Sequence, residues 1–289
     1  MIRPTSPSLR LLAVASLLAF GLTAHTAPAL AGSIFLTGHD PDFHAQSGGG
    51  ENPGGAQDIN ARAIQFILDG TYNPYSAGAH KFLMVESNIS VPGGHRRGTD
   101  GIVLSGYTEG VDFEQHNASD LGAELNLLGT KYSGIVVASD FGGILTQSEL
   151  NILDSRSGDI INFLNGGGGL YAMAESNGGA GLTPSGGRFG YLPFVVTSTP
   201  LDQGESGNTL TAFGSSLGLT SSDVNGNFSH NVFDNNAGLN AVDVDPNGHI
   251  LTIAGRAQIT SGGVVPEPNS LALMGLGLGA ALMLVRRRA

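Results

Sequence analysis

The sequence predicts an α/β fold: a three-layer sandwich around a mostly parallel, doubly wound sheet, with a β-hairpin near its C-terminal edge. Three observations point there. Gly134-Ile135-Val136-Val137-Ala138 is a continuous apolar run, the mark of a strand covered on both faces. It leads through the capping box Thr146-Gln147-Ser148-Glu149 into a helical stripe and then a second apolar run, Leu170–Ala174. Lastly, Asp245-Pro246-Asn247-Gly248 sits between Leu239–Val244 and Ile250–Ile253, a turn signal flanked by two strand signals.

The elements follow in order. Ser33–Thr37 reads as a buried strand. After a Gly-rich loop, Ile59, Ala63, Ile64, Ile67 and Leu68 mark one face of a helix over residues 56–68. Lys81–Val85 is a second strand, and residues 95–118 carry no single period. Leu121–Leu128 reads as a short helix with Ser119 as N-cap. The helix opened by Thr146 carries Leu150, Leu153, Ile160, Ile161 and Leu164 inward until Gly166–Gly169 stops it. Beyond residue 190, Phe194–Ser198 reads as a strand and Ser215–Leu217 as a loop or short helix. The tripeptide Glu-Ser-Asn echoes at Glu86–Asn88 and Glu175–Asn177, each time closing a strand.

Both ends of the 289-residue chain read as sorting segments. Arg3 and Arg10, the apolar stretch Leu11–Leu22 and the small residues Ala29 and Ala31 form a secretory signal peptide over residues 1–31. The far end reads Val264-Val265-Pro266-Glu267-Pro268, then an apolar run Leu271–Val285, then Arg286-Arg287-Arg288. That order of elements resembles the PEP-CTERM sorting signal of Gram-negative bacteria. The resemblance implies export, passage through a membrane-tethered form and cleavage near Pro266-Glu267-Pro268 by an exosortase. The 15-residue run is short for a bilayer crossing, which takes about 20 apolar residues. The three arginines would keep the tail end cytoplasmic and the body outside. The expected organisation is therefore a signal peptide (1–31), an α/β domain (32–256), a linker (257–265) and a sorting signal with a short transmembrane segment (266–289).

Composition limits what the body can do. Without five arginines and Glu267 in the sorting segments, it keeps 8 basic and 23 acidic residues, a formal charge of −15. Nucleic acid and anionic membrane surfaces call for a basic footprint, so both are poor partners. Cations and neutral polar ligands such as extracellular polysaccharide remain. With no cysteine there is no disulfide, thiol nucleophile or thiolate metal site.

In open parallel sheets, ligands bind beyond the carboxyl ends of the strands. Those ends carry His39, Asp40 and His44 after the first strand, Glu86 and Asn88 after the second, Asp140 after the Gly134 strand, and Glu175, Ser176 and Asn177 after the Leu170 strand. The first strand ending in Thr37-Gly38-His39, with His44 beyond it, and the segment Tyr132–Asn177 together resemble the class I glutamine amidotransferase-like fold, within it the ThuA-like group. That family carries its catalytic Cys at the sharp turn where this chain has Glu175-Ser176-Asn177. The resemblance implies the fold and a ligand-binding domain, without the thiol chemistry.

Two chemistries can be drawn on that rim. Ala174-Glu175-Ser176-Asn177-Gly178 is a relaxed nucleophile elbow, for which His230 is the best base, although Gly178–Pro184 is a poor helix to follow it. A hydrolase or carbohydrate-acting enzyme of this kind expects His39, His44, Glu175 and His230 to converge. Alternatively, His39, Asp40 and His44 hold a divalent metal with Glu86, Asp140 or Glu175: Zn or Mn for an imidazole–carboxylate set, Ca for an all-oxygen one. Asp243-x-Asp245-x-Asn247-Gly248 matches half a Ca loop, but Ala254 stands where the bidentate Glu is needed, so it reads as the hairpin turn.

Overall fold

The structure is a computed structural model that describes residues 30–77, 81–91, 93–140, 142–175, 188–192, 196–203, 206–260 and 263–266. Residues 1–29, Ser176, Asn177, Phe194, Glu267, Pro268 and the apolar run Leu271–Val285 lie outside these. Among the described residues no helix is long and apolar enough to cross a membrane.

Among the described residues the fold is α/β, built on one eleven-stranded mixed sheet. Five strands form its parallel half: β1 (Gly32–Thr37), β2 (Lys81–Val85), β3 (Phe113–His116), β4 (Tyr132–Val137) and β5 (Gly169–Ala172), in the spatial order β3-β2-β4-β5-β1. The other half is antiparallel: β6 (Ser198–Gln203), β7 (Thr209–Leu210), β8 (Ser229–Phe233), β9 (Asn240–Val244), β10 (Ile250–Thr260) and β11 (Gly263–Pro266). The expectation of a mostly parallel sheet is thus corrected to a mixed one. The antiparallel half comes from the chain beyond residue 190, where strand signals are short and Gly/Asn-rich turns replace helices.

Local signals place the helices. The first, α1 (Pro41–His44), is one buried turn opened by Pro41. α2 (Pro53–Ile67) starts three residues before the expected position 56, because Asn52 accepts from Gly55 N–H and Pro53 takes the first turn, offsetting Gly54 and Gly55. The ambiguous region holds α3 (Gly98–Leu104) and β3. Next, α4 (Leu121–Glu124) runs into a 3-10 turn, Leu125–Leu127, with Asp120 rather than Ser119 at its N-cap position. The capping box forms: Thr146 N–H donates to Glu149 Oε2 at 2.9 Å. The helix it opens, however, divides at Arg156 into α5 (Gln147–Ser155) and α6 (Ser157–Asn165). Arg156 leaves helical geometry at φ −106°, ψ 15° and its guanidinium bonds Gly122 O, Asn126 and Asp159. The last helix, α7, is Ala212–Ser216.

The β9–β10 hairpin forms where the sequence places it, with Gly248 at φ +87° and Asp245 Oδ1 accepting from Asn247 N–H and His249 N–H. Its second strand is no edge strand. β10 runs the length of β1, from Thr37↔Thr252 to Gly32↔Ala257, and joins the two halves of the sheet. The supposed linker 257–265 is likewise corrected. Ala257 and Ile259 are core residues of β10, and β11 folds back on them. Apolar side chains from both halves form a single core.

Candidate metal centre

The rim beyond β1 is assembled by one close backbone approach. His230 N–H on β8 donates to Gly38 O at 2.7 Å, and Gly38 N–H donates to Leu251 O at 2.7 Å. A Cβ at Gly38 would overlap the Asn231 carbonyl oxygen, so only glycine lets β8 pass the end of β1 this closely. That contact carries His230 to the residues leaving β1.

Three ligating groups meet there. His44 Nε2 lies 2.9 Å and His230 Nε2 3.2 Å from Asp40 Oδ1, and the three donor atoms lie within 4.8 Å of one another. Asp40 is fully buried, and both imidazole residues are 5% exposed. Neither Asp40 oxygen nor His44 Nε2 makes an aligned hydrogen bond, so these contacts are close without being satisfied. Burial works against the Asp40 carboxylate, but the charge of His230 and the contact with His44 outweigh it and hold its pKa at about 2. Burial likewise opposes the charged His44 ring, and Asp40 overcomes it, raising the His44 pKa.

The surroundings orient these groups. His44 Nδ1–H donates to Gly49 O, which leaves Nε2 as the lone-pair nitrogen, the tautomer a metal needs. Gly50 lies flush against the same ring, where a Cβ would stand 2.6 Å from His44 Nδ1. The loop is tied to the segment before β8 by a reciprocal amide pair. Asn227 Nδ2 donates to Asn52 O at 2.7 Å and Asn52 N–H to Asn227 Oδ1 at 3.3 Å. The Gly-rich stretch after β1 is therefore the wall of the site.

Other rim residues go elsewhere. His39 holds the last bridge of β1, to Ser229, and turns to the face opposite Asp40, as strand alternation requires. There its Nε2 meets buried Asp243 at 2.8 Å, outside the cluster. Glu175 is fully engaged: Oε2 accepts from Phe189 N–H and Oε1 from Tyr191 O–H, both at 2.7 Å, and burial raises its pKa to about 8. The joint convergence of His39, His44, Glu175 and His230 reduces to His44 and His230. Glu86 is buried, Oε2 accepting from Thr99 N–H at 2.7 Å, and burial lifts it to about 8. Asp140 is buried beside the end of β5, its N–H donating to Ala174 O. Asn88 is exposed on an open groove of 470 Å3 with Ser87, Asn117 and Thr146.

Asp42, not singled out in the sequence, stands on α1 two residues from both Asp40 and His44 and accepts from Ser139 N–H at 2.9 Å. Burial, then the charge of Asp40, raises its pKa to about 6. A second acidic group, Glu114, His116 and Glu124, is already neutralised by Lys81 and Lys131 at 2.5–2.9 Å. Pairing of His230 with Asp40 left no local trace in the sequence; the one available signal was a late His among strand residues.

Fold and site together describe an α/β domain with a buried two-histidine, one-carboxylate cluster. The family described as PEP-CTERM protein-sorting motif matches residues 264–288. No curated protein and no solved structure matches the chain. The motif marks an exported, exosortase-sorted protein that is transiently anchored at the membrane by its C terminus, with exosortase as its processing partner.

Proposed function

We propose that this exported domain binds a divalent transition-metal ion through Asp40, His44 Nε2 and His230 Nε2. The observation that carries the reading is the convergence of three buried donor atoms that leave both Asp40 oxygens and His44 Nε2 without an aligned hydrogen bond. Tetrahedral zinc with ligands at 2.0–2.2 Å sets its donor atoms roughly 3.4 Å apart, close to the 2.9 and 3.2 Å seen here. An anionic carboxylate and two imidazoles suit Zn and its neighbours better than Ca, which takes oxygen ligands. Buried polar atoms left unpaired cost free energy, and a bound cation would recover it.

In this reading the body is a cell-surface or extracellular-matrix protein, delivered by the Sec route and released by exosortase. Its rim could face extracellular polysaccharide. The amidotransferase-like, doubly wound character of the domain rests on the residues of the first strand and of Tyr132–Asn177. A second reading, metal-assisted hydrolysis, is favoured by one feature: three protein ligands leave the fourth position for water.

The test is the metal content of the folded protein purified after export, beside Asp40→Ala and His44→Ala. The expected result is about one ion per chain, lost in both variants. A folded wild-type chain that holds no ion and is not stabilised by added Zn, Mn or Co would sink the proposal.

A further inference from the structure

Away from the rim, α2, α7 and β10 enclose a second groove of 480 Å3. Arg256 on β10 pairs in register with Ser33, near the start of β1, whereas Asp40 lies beyond the other end of that strand. The groove and the metal cluster therefore sit at opposite ends of β1. The groove has an apolar floor, where Phe66 and Phe213 meet edge to face at 6.5 Å and Leu217 extends the surface. Arg256 forms one wall. Its Cζ lies 3.6 Å from the centre of the Tyr72 ring and 4.5 Å from that of Phe66, and Nη2 donates to Asp69 Oδ2 at 3.0 Å. Arg62 and Gln65 on α2 form another, joined by an Nη1 to Oε1 bond of 3.1 Å. Tyr72 keeps 40% of its surface exposed.

We propose that this groove binds a neutral pyranose unit of a saccharide chain. Its volume falls within the roughly 300–1,000 Å3 of small-ligand sites, and an apolar floor under a few polar groups is their usual lining. The polar groups select the class. A guanidinium only donates and a carboxylate only accepts. Asp69 beside Arg256 therefore suits neighbouring hydroxyls, each of which does both. A ligand carboxylate would meet Asp69, and a ligand ammonium would meet Arg62 and Arg256. The charge of −15 on the body disfavours an anion further. A pyranose also has an apolar C–H face to lay on Tyr72 and the floor. Arg256 is held in advance by two rings and Asp69, so little side-chain freedom is lost on binding. None of the metal ligands takes part.

The test is saturation-transfer NMR on the folded protein purified after export, with cellotetraose, maltotetraose and, as the anionic control, trigalacturonate. Wild type and folded Asp40→Ala are expected to bind at least one neutral tetraose with equal affinity. Tyr72→Ala should weaken it by about tenfold or more, while Tyr72→Phe, which keeps the ring, retains it. Gln65→Ala, at an exposed helix position, should weaken it as well. Transfer to neither tetraose, or to trigalacturonate alone, would overturn the proposal. Unchanged affinity in both Tyr72→Ala and Gln65→Ala would remove the sugar from this groove. Loss of binding in folded Asp40→Ala would move it to the rim and overturn the groove equally.

Discussion

His44 and His230 stack with their rings 9° from parallel and 6.3 Å apart, and each turns Nε2 toward the same Asp40 oxygen. His44 Nδ1–H donates to Gly49 O, so a neutral His44 turns the lone pair of Nε2 toward the Asp40 oxygen. A proton on Nε2 or a cation between the two relieves that contact, and the choice between them should depend on pH.

The ion-free and ion-loaded proteins should therefore have opposite pH slopes. His44 has a raised pKa, so in the ion-free fold its contribution is present below its unfolded value of 6.5 and is lost as pH rises through the folded value. Metal binding needs the neutral ring and strengthens over the same interval. Tm measured from about pH 5.5 to about pH 8 should show a zinc-induced increment that grows with pH. An increment that is flat or shrinks with pH would count against His44 as a ligand.

The buried acids predict a second pH effect with a separate variant. Glu86 rises from 4.5 to about 8 through burial, so the folded state retains a proton that the unfolded state has released. Stability should fall as pH rises from 4.5 toward 8, by up to roughly 1.4 kcal/mol per unit for this one group. Glu86 Oε1 makes no hydrogen bond and faces the Arg97 guanidinium at 3.7 Å, so Glu86→Gln removes the titrating group together with that ion pair, and the comparison rests on the pH slope and not on absolute stability. Urea unfolding of Glu86→Gln should show a shallower decline than wild type over that range; parallel declines would contradict the assignment.

Gly38→Ala should be among the costliest single-methyl changes in the chain. Its Cβ would overlap the Asn231 carbonyl, and both backbone bonds of Gly38 hold strands in place. Overpacking of this kind costs about 1–3 kcal/mol or more. Chemical denaturation measures it, and a loss under about 0.5 kcal/mol, the range of surface changes, would show that β8 can move away freely.

Asn227→Ala should weaken metal binding without touching a ligand. It removes the two hydrogen bonds that hold the Gly49 loop against the β8 segment, and orienting partners of this kind are worth about 10–100-fold in affinity. Isothermal titration with zinc measures the effect, and unchanged affinity in a folded Asn227→Ala chain would remove the loop from the site.

Much of the parallel half was legible because its signals are local. Lys81–Val85 is bounded as expected, and the Thr146 box marks the start of α5. What periodicity could not reveal was the break at Arg156, since Leu150, Leu153, Ile160 and Leu164 stay buried across two helices as they would along one. The site was half legible. Asp40 and His44 stand one helical turn apart, so their meeting is a property of local spacing. His39 looked like their companion and is not, because one residue along a strand reverses the face.

The sequence by itself determined the sorting motif, the strands β1, β2, β4 and β5 with the helical stripes of α2 and of α5–α6 between them, and the β9–β10 turn, since each depends on side chains within a few residues of one another. Only the tertiary structure decided that β10 is the seam between the two halves of the sheet, that Ala257 and Ile259 belong to the core, and that His230 completes the Asp40–His44 pair. Those outcomes join positions far apart in the chain, as the Asn52–Asn227 contact does over 175 residues. They are settled by which surfaces bury each other and by how closely Gly38 lets β8 approach, and neither leaves a periodic trace in the sequence.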